Sequence, residues 1–205
     1  IIYYVALFAV GFTQAQAAER MIRLPVPIVR QSTEYSCGAA ALLSALTYWK
    51  KFDGDESTLM KELGTTPQDG TPIRSLPKVA KKYGLRAKIQ EHLSVRDLER
   101  FLDQGVTAIL DLQAWPEVDV PSRDWRAEWE SGHYAILVGL DSERAYFMDP
   151  STLQGYTYIA LSELEARWHD YEIEHGKKRP YEHAAILIQG TEAMSEFPAP
   201  PLPLK

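Results

Sequence analysis

Cysteine is almost missing from this 205-residue chain; the one present is Cys37. A single cysteine cannot close an internal disulfide, and one thiol among scattered histidines lacks the ligand spacing of a zinc site. No G-x-x-x-x-G-K-[ST] or G-x-G-x-x-G stretch occurs, so no phosphate or dinucleotide loop is indicated, and neither a cofactor nor a metal is expected. Positive charge is not in excess. The net charge of −6 argues against nucleic acid and anionic membrane surfaces as partners. No repeat of solenoid length is visible. The longest apolar run, "IIYYVALFAVGF", covers about 18 Å as a helix, short of the ~30 Å hydrocarbon core of a bilayer. What remains is an ordinary globular composition, 45% hydrophobic and 24% charged, of a length that fills one domain.

The apolar run is followed by "TQAQAAER", in which Ala15-Gln16-Ala17 fits the small-x-small rule for signal-peptide cleavage. The expected division is a secretory signal over residues 1–17, a folded domain over 18–190 and a flexible Pro-rich tail over 191–205. The protein is then exported, most simply to the periplasm. With no initiator Met and no basic n-region ahead of the run, the alternative is an uncleaved anchor that leaves the domain facing the periplasm. In an exported chain an odd cysteine is a reactive thiol, half of an intermolecular bridge, or a small buried hydrophobe.

Pro25 and Pro27 keep residues 21–36 extended. A helix apolar nearly all round follows from about Cys37 to Lys51, with Ser36 as candidate N-cap, and so should be central. Further helices are expected over Glu56–Leu63, over Pro72–Tyr83 ended by Gly84, and over Ser94–Gln104 ended by Gly105. "LRAKIQEHL" and "VTAILDL" read as strands, "HYAILVGL" and "RAYFMDP" as a hairpin around Asp141–Glu143, and "GYTYIA" and "HAAILIQG" as the last two strands. Ser162 and Glu165 suggest a capping box for a short helix reaching Trp168. "RWHDYEIEHGKK" reads as a polar loop with His169 and His175 solvated. Helices first and strands later predict an α+β domain, a helical layer on a mostly antiparallel sheet.

Cys37 would occupy the first turn of the central helix. Free N–H groups and the positive end of the helix dipole favour a thiolate there, and Gly38 leaves room for a substrate backbone. A thiol nucleophile also needs a base. Of five histidines, His133 is best placed, closing a long Trp-rich loop and opening the strongest strand. Hairpin pairing brings Asp149 to the same end, where a carboxylate can fix the imidazole tautomer and stabilise imidazolium; the alternative is a turn cap before Pro150. The Gln31 amide could donate to an oxyanion beside the Cys37 N–H, or be an ordinary loop residue. The loop over residues 113–132 carries Trp115, Trp125 and Trp129, and either walls a substrate groove or covers the sheet edge. Tyr35, Gly38, Trp115 and Trp129 are the candidate substrate-contacting residues.

"RQSTEYSCGAAAL", "GHYAILVG" and "YFMDPS" resemble, in that order, the Gln–Cys, His and Asp-Pro motifs of peptidase family C39, a papain-like branch that includes bacteriocin leader peptidases. "GYTYIALSELEARWHD" resembles the segment that follows in stand-alone bacterial members. The resemblance implies a papain-like fold, Cys37 as nucleophile, His133 as base, Asp149 as orienter and Gln31 as oxyanion donor. It implies a polypeptide substrate cut after a Gly-Gly-type leader. An export signal and the lack of an ATPase motif point instead toward a co-exported protein or a secretion-system component. The alternatives are a thioester enzyme of another kind on the same fold (acyltransferase or amidase) and a non-catalytic module that binds leaders or secretion substrates.

Overall fold

The computed structural model describes residues 23–118, 123–152 and 156–195. The expected signal segment lies outside the described residues, as does the tail beyond Ser195. Helix α1, Cys37–Tyr48, is buried along almost its whole length. Its run of alanines presents little side-chain bulk, so it can lie close against the sheet. Ser36 occupies the N-cap position but does not cap. Its hydroxyl turns back to the Thr33 carbonyl, 3.2 Å away, in a local turn. The first N–H groups of α1 therefore face the site without a side-chain acceptor from the cap.

Helix α2, Glu56–Leu63, starts at Asp55, whose carboxylate takes the Thr58 N–H, and stops at Gly64 with φ of 72°. Helix α3, Ser75–Lys82, begins three residues later than expected, because residues 72–74 form a turn in which Ser75 bonds back to Pro72 O. Helix α4, Val95–Asp103, has a capping box between Ser94 and Asp97. The strands are β1 (Arg86–Gln90), β2 (Thr107–Gln113), β3 (Gly132–Leu140), β4 (Arg144–Met148), β5 (Tyr156–Ala160) and β8 (Ala185–Gln189). They form one sheet in the order β1-β8-β2-β3-β4-β5, antiparallel at every pairing. The last strand is thus inserted beside the middle of the sheet, and its Ala185–Ile188 stretch is buried. The domain is α+β, as the order of elements predicts.

Three expectations are corrected. Helix α5, Leu161–Arg167, has no side-chain cap; the chain leaves β5 through Ala160 in an extended conformation and turns directly into helix, so the Ser162–Glu165 box does not form. The "polar loop" after it is a hairpin, β6 (His169–Glu174) and β7 (Lys177–Glu182), turning at His175 and Gly176 with φ of 53° and 75°. His169 is buried against Trp129, 4.3 Å between ring centres. The described start of the tail is docked, not loose. Met194 N–H bonds Tyr48 O, Ala193 and Met194 pack on the core, and Lys50 pairs with Glu192.

Candidate active site

Cys37 is the first residue of α1, and His133 and Asp149 reach it from neighbouring strands. His133 is the second residue of β3, and Asp149 follows the end of β4. In an antiparallel pair with a short turn the two ends lie side by side, and here the turn is tight. Asp141 accepts the backbone N–H groups of Glu143 and Arg144 at 2.7 and 2.8 Å. His133 Nε2 lies 2.9 Å from Asp149 Oδ1. With Nε2 so committed, Nδ1 is the ring nitrogen left for the Cys37 thiol, whose charge the imidazole stabilises.

Asp149 is surrounded by donors. Oδ1 also takes the Ser151 N–H at 2.9 Å, and Oδ2 takes the Trp115 indole N–H at 3.0 Å and the Thr157 hydroxyl at 3.4 Å. Burial opposes its ionisation, but His133 and these donors hold the carboxyl below its ordinary value. Burial also pulls His133 down. Asp149 and Cys37 outweigh it and push the imidazole up to about 10. Burial pushes the Cys37 thiol up. The His133 imidazolium, with the Tyr134 and Gly38 backbone N–H groups, brings it to a net lower value. Both shifts favour the thiolate–imidazolium form of the pair.

Gln31 is tied to the Asp149 loop. Its N–H donates to Pro150 O, its Oε1 accepts the Ser151 hydroxyl at 2.8 Å, and its Nε2 donates to Thr33 O at 2.7 Å. One amide hydrogen remains beyond the Thr33 bond. Gly38 does not open space for a substrate. Thr71 occupies that side, and a Cβ on Gly38 would meet the Thr71 Cβ at 2.6 Å. Gly38 is therefore a close-packing glycine whose N–H faces the thiol.

Two grooves flank the Cys37–His133 pair. One, of about 790 Å³, is lined by Cys37, Tyr35, Gly70, Trp129 and the carboxylates of Asp170 and Glu172. The other, of about 650 Å³, is lined by His133, Asp149, Trp115, Trp125, Tyr156 and Tyr158. The Trp-rich loop thus serves both. A third pocket, between β1 and α4, lies among Arg86, Lys88 and Gln104 and holds none of the candidate site residues.

Two features were missed in the sequence. Ser151 couples Asp149 to Gln31; the signal is the residue after Asp-Pro. Asp111, 2% exposed, lies across the β2–β3 ladder from Tyr134 and hydrogen-bonds to Asp170 of β6. Burial and Asp170 push its carboxyl well above the usual range, and Asp170 is pushed up to about 6, chiefly by burial. Two carboxyl groups in contact hold a proton between them. A lone acid inside the apolar "VTAILDL" is the signal that could have found it. Gln113 donates to Asp170 Oδ1 and to His169 O, anchoring the hairpin beside the site. Among the described residues no group of three His, Cys, Asp or Glu is arranged to hold a metal ion.

The fold is that of known peptidase domains. A double glycine motif protease from an AMS/PCAT transporter, solved in complex with its leader peptide, superposes with a TM-score of 0.56 at 22% identity, over 81% of this chain and 92% of that one. The peptidase domain of Streptococcus ComA, a bi-functional ABC transporter involved in quorum sensing, gives 0.57 at 17% identity, over 81% of this chain and 99% of that one. At these identities the likeness shows the fold. No curated protein matches the sequence. The family profile of the Peptidase_C39 like family matches residues 23–174, which span Cys37, His133 and Asp149, and the chain belongs to that family.

Proposed function

We propose that the protein is an exported cysteine peptidase with Cys37 as nucleophile, His133 as general base and acid, and Asp149 as the group that orients and charges His133. One observation carries the reading: His133 Nε2 lies 2.9 Å from Asp149 Oδ1, and the same buried imidazole interacts electrostatically with the Cys37 thiol. The thiolate attacks a peptide carbonyl. The Cys37 N–H and the remaining Gln31 amide hydrogen hold the oxyanion, His133 protonates the leaving amine, and water hydrolyses the thioester. The substrate is a polypeptide, cut after a Gly-Gly-type leader or within a co-exported protein, a reading supported by the double glycine motif protease solved in complex with a leader peptide. Export is supported by the apolar run and Ala15-Gln16-Ala17.

Iodoacetamide labelling of Cys37 from pH 4 to 9 tests the pair. Labelling in the wild type should persist well below the free-thiol pKa of about 8.5 and shift upward in His133→Ala. An ordinary or raised thiol pKa that ignores His133 would make Cys37 structural and leave a binding module.

A further inference from the structure

We propose that the groove on the His133 side is the leaving-group site, and that it selects an aromatic or bulky apolar residue immediately after the scissile bond. This rests on the peptidase reading above. When Cys37 Sγ bonds to the carbonyl carbon, the acyl half of the substrate stays on the Cys37 side. The amine half must lie where His133 can hand over its proton. Cys37 lines one groove, while His133 and Asp149 line the other. The two halves of the substrate therefore meet different chemistry.

The leaving-group side is aromatic. Trp115, Trp125, Phe147 and Ile159 form its walls. Trp115 is 57% exposed, one of the five exposed large apolar side chains among the described residues. The backbone of Trp115 adds a second, independent sign. Its φ is +55°, left-handed, which is costly for a bulky side chain and persists where surrounding structure enforces it. The indole N–H bond to Asp149 is what fixes the ring in place. More than half of Trp115 is thus left to solvent beside the proton donor, where it can pack on an incoming side chain. The charges at the far end, Glu163 and Arg167, are paired with each other at 2.7 Å, and Arg167 stacks on Trp125 at 3.5 Å. No uncompensated charge of this groove's own awaits a charged residue.

Acyl transfer reads this groove without knowledge of the natural substrate. The p-nitrophenyl ester of an N-acylated glycine acylates Cys37 and releases p-nitrophenolate. An added amino-acid amide then attacks the thioester carbonyl. The C–S bond breaks, an amide bond forms, the amine proton passes to His133, and water competes to give the acid. Phenylalaninamide and tryptophanamide should capture the acyl group at least about tenfold better than glycinamide, aspartic acid amide or lysinamide. Trp125→Ala should compress that ratio to less than about threefold. Equal capture of glycinamide and phenylalaninamide, or a ratio unchanged in Trp125→Ala, overturns the groove assignment. A p-nitrophenolate burst that is absent, or that survives Cys37→Ser, removes the peptidase reading and the groove assignment with it.

Discussion

The indole N–H of Trp115 donates to Asp149 Oδ2 at 3.0 Å, so the carboxylate that holds His133 is itself held by an exposed tryptophan. The sequence places these two residues 34 positions apart, one in an irregular loop and one after a strand. The bond links the substrate-facing loop to the charge that maintains the imidazolium. Contact at Trp115 is therefore felt at His133 through two hydrogen bonds that share the Asp149 carboxylate.

Trp115→Phe keeps the ring and removes the donor. A hydrogen bond to an ionised group contributes about 1.5–3 kcal/mol, and Asp149 retains three other donors, so the loss is partial. Cys37 alkylation at pH 6 should slow by roughly threefold to tenfold, with its pH profile moved upward. A profile superimposable on the wild type would mean that the indole contributes nothing to the triad charge.

Asp149→Asn keeps the shape and removes the charge. His133 is held up to about 10 by Asp149 and Cys37. Without the carboxylate its pKa must fall, and the imidazole C–H resonances should titrate at lower pH in NMR spectra of the variant. An amide that turns its oxygen to His133 also turns its NH₂ toward the Trp115 N–H, donor against donor. Turnover should drop by about 10²-fold or more. An unshifted imidazole titration would remove Asp149 from its role.

The Asp111–Asp170 pair ties stability to pH. Asp170 titrates near 6 in the folded protein, above its ordinary carboxylate value of 3.8. A group with a raised folded pKa binds its proton more tightly when folded. Its stabilising contribution is complete below about pH 4, declines as pH rises toward 6 and is gone above it. Cys37 and Glu172 face the same pair and add to its reluctance to ionise, and the pair in turn pushes the buried Tyr134 phenol up. Asp111→Asn supplies a permanent neutral donor to Asp170. It should raise the melting temperature at pH 8 and flatten the decline between pH 4 and 6. A variant with the same pH slope as the wild type would show that the two carboxyls do not share a proton.

Much of this was legible because local rules and global fold agree. The alanine run of α1, Asp55 and Gly64 around α2, Ser94 ahead of α4 and the Asp141 turn each carry their own structural signal. Cys37, His133 and Asp149 could be brought together from a helix start and one hairpin register. The β6–β7 hairpin was not legible, because its inward residues, Asp170 and Glu172, are acids. Alternation is present, with Tyr171 and Ile173 set between Asp170, Glu172 and Glu174, but its sense is inverted: Ile173 is exposed, and Asp170 and Glu172 face the site. His169 was read as solvated for the same reason, since its cover, Trp129, comes from a loop 40 residues earlier. Gly38 was read as space for a ligand, although only the fold shows that Thr71 stands there.

Gly38 offers a test that separates packing from chemistry. A Cβ at this position would lie 2.6 Å from the Thr71 Cβ and 2.9 Å from both its Cγ2 and its Oγ1. Thr71 is anchored by its hydroxyl to Thr65 at 2.8 Å, so it cannot simply rotate away. Gly38→Ala should therefore destabilise by about 1–3 kcal/mol, the usual cost of overpacking, despite alanine's better helix propensity. Thr71→Gly removes the obstructing carbon. It is destabilising alone, but in the double variant the alanine no longer clashes, so the two costs should fall short of additivity by about 0.5–3 kcal/mol in urea unfolding. Simple additivity would mean that the helix start shifts to admit the methyl. In that case the Gly38 N–H would move relative to the thiol, and Cys37 labelling would change in Gly38→Ala even where stability does not.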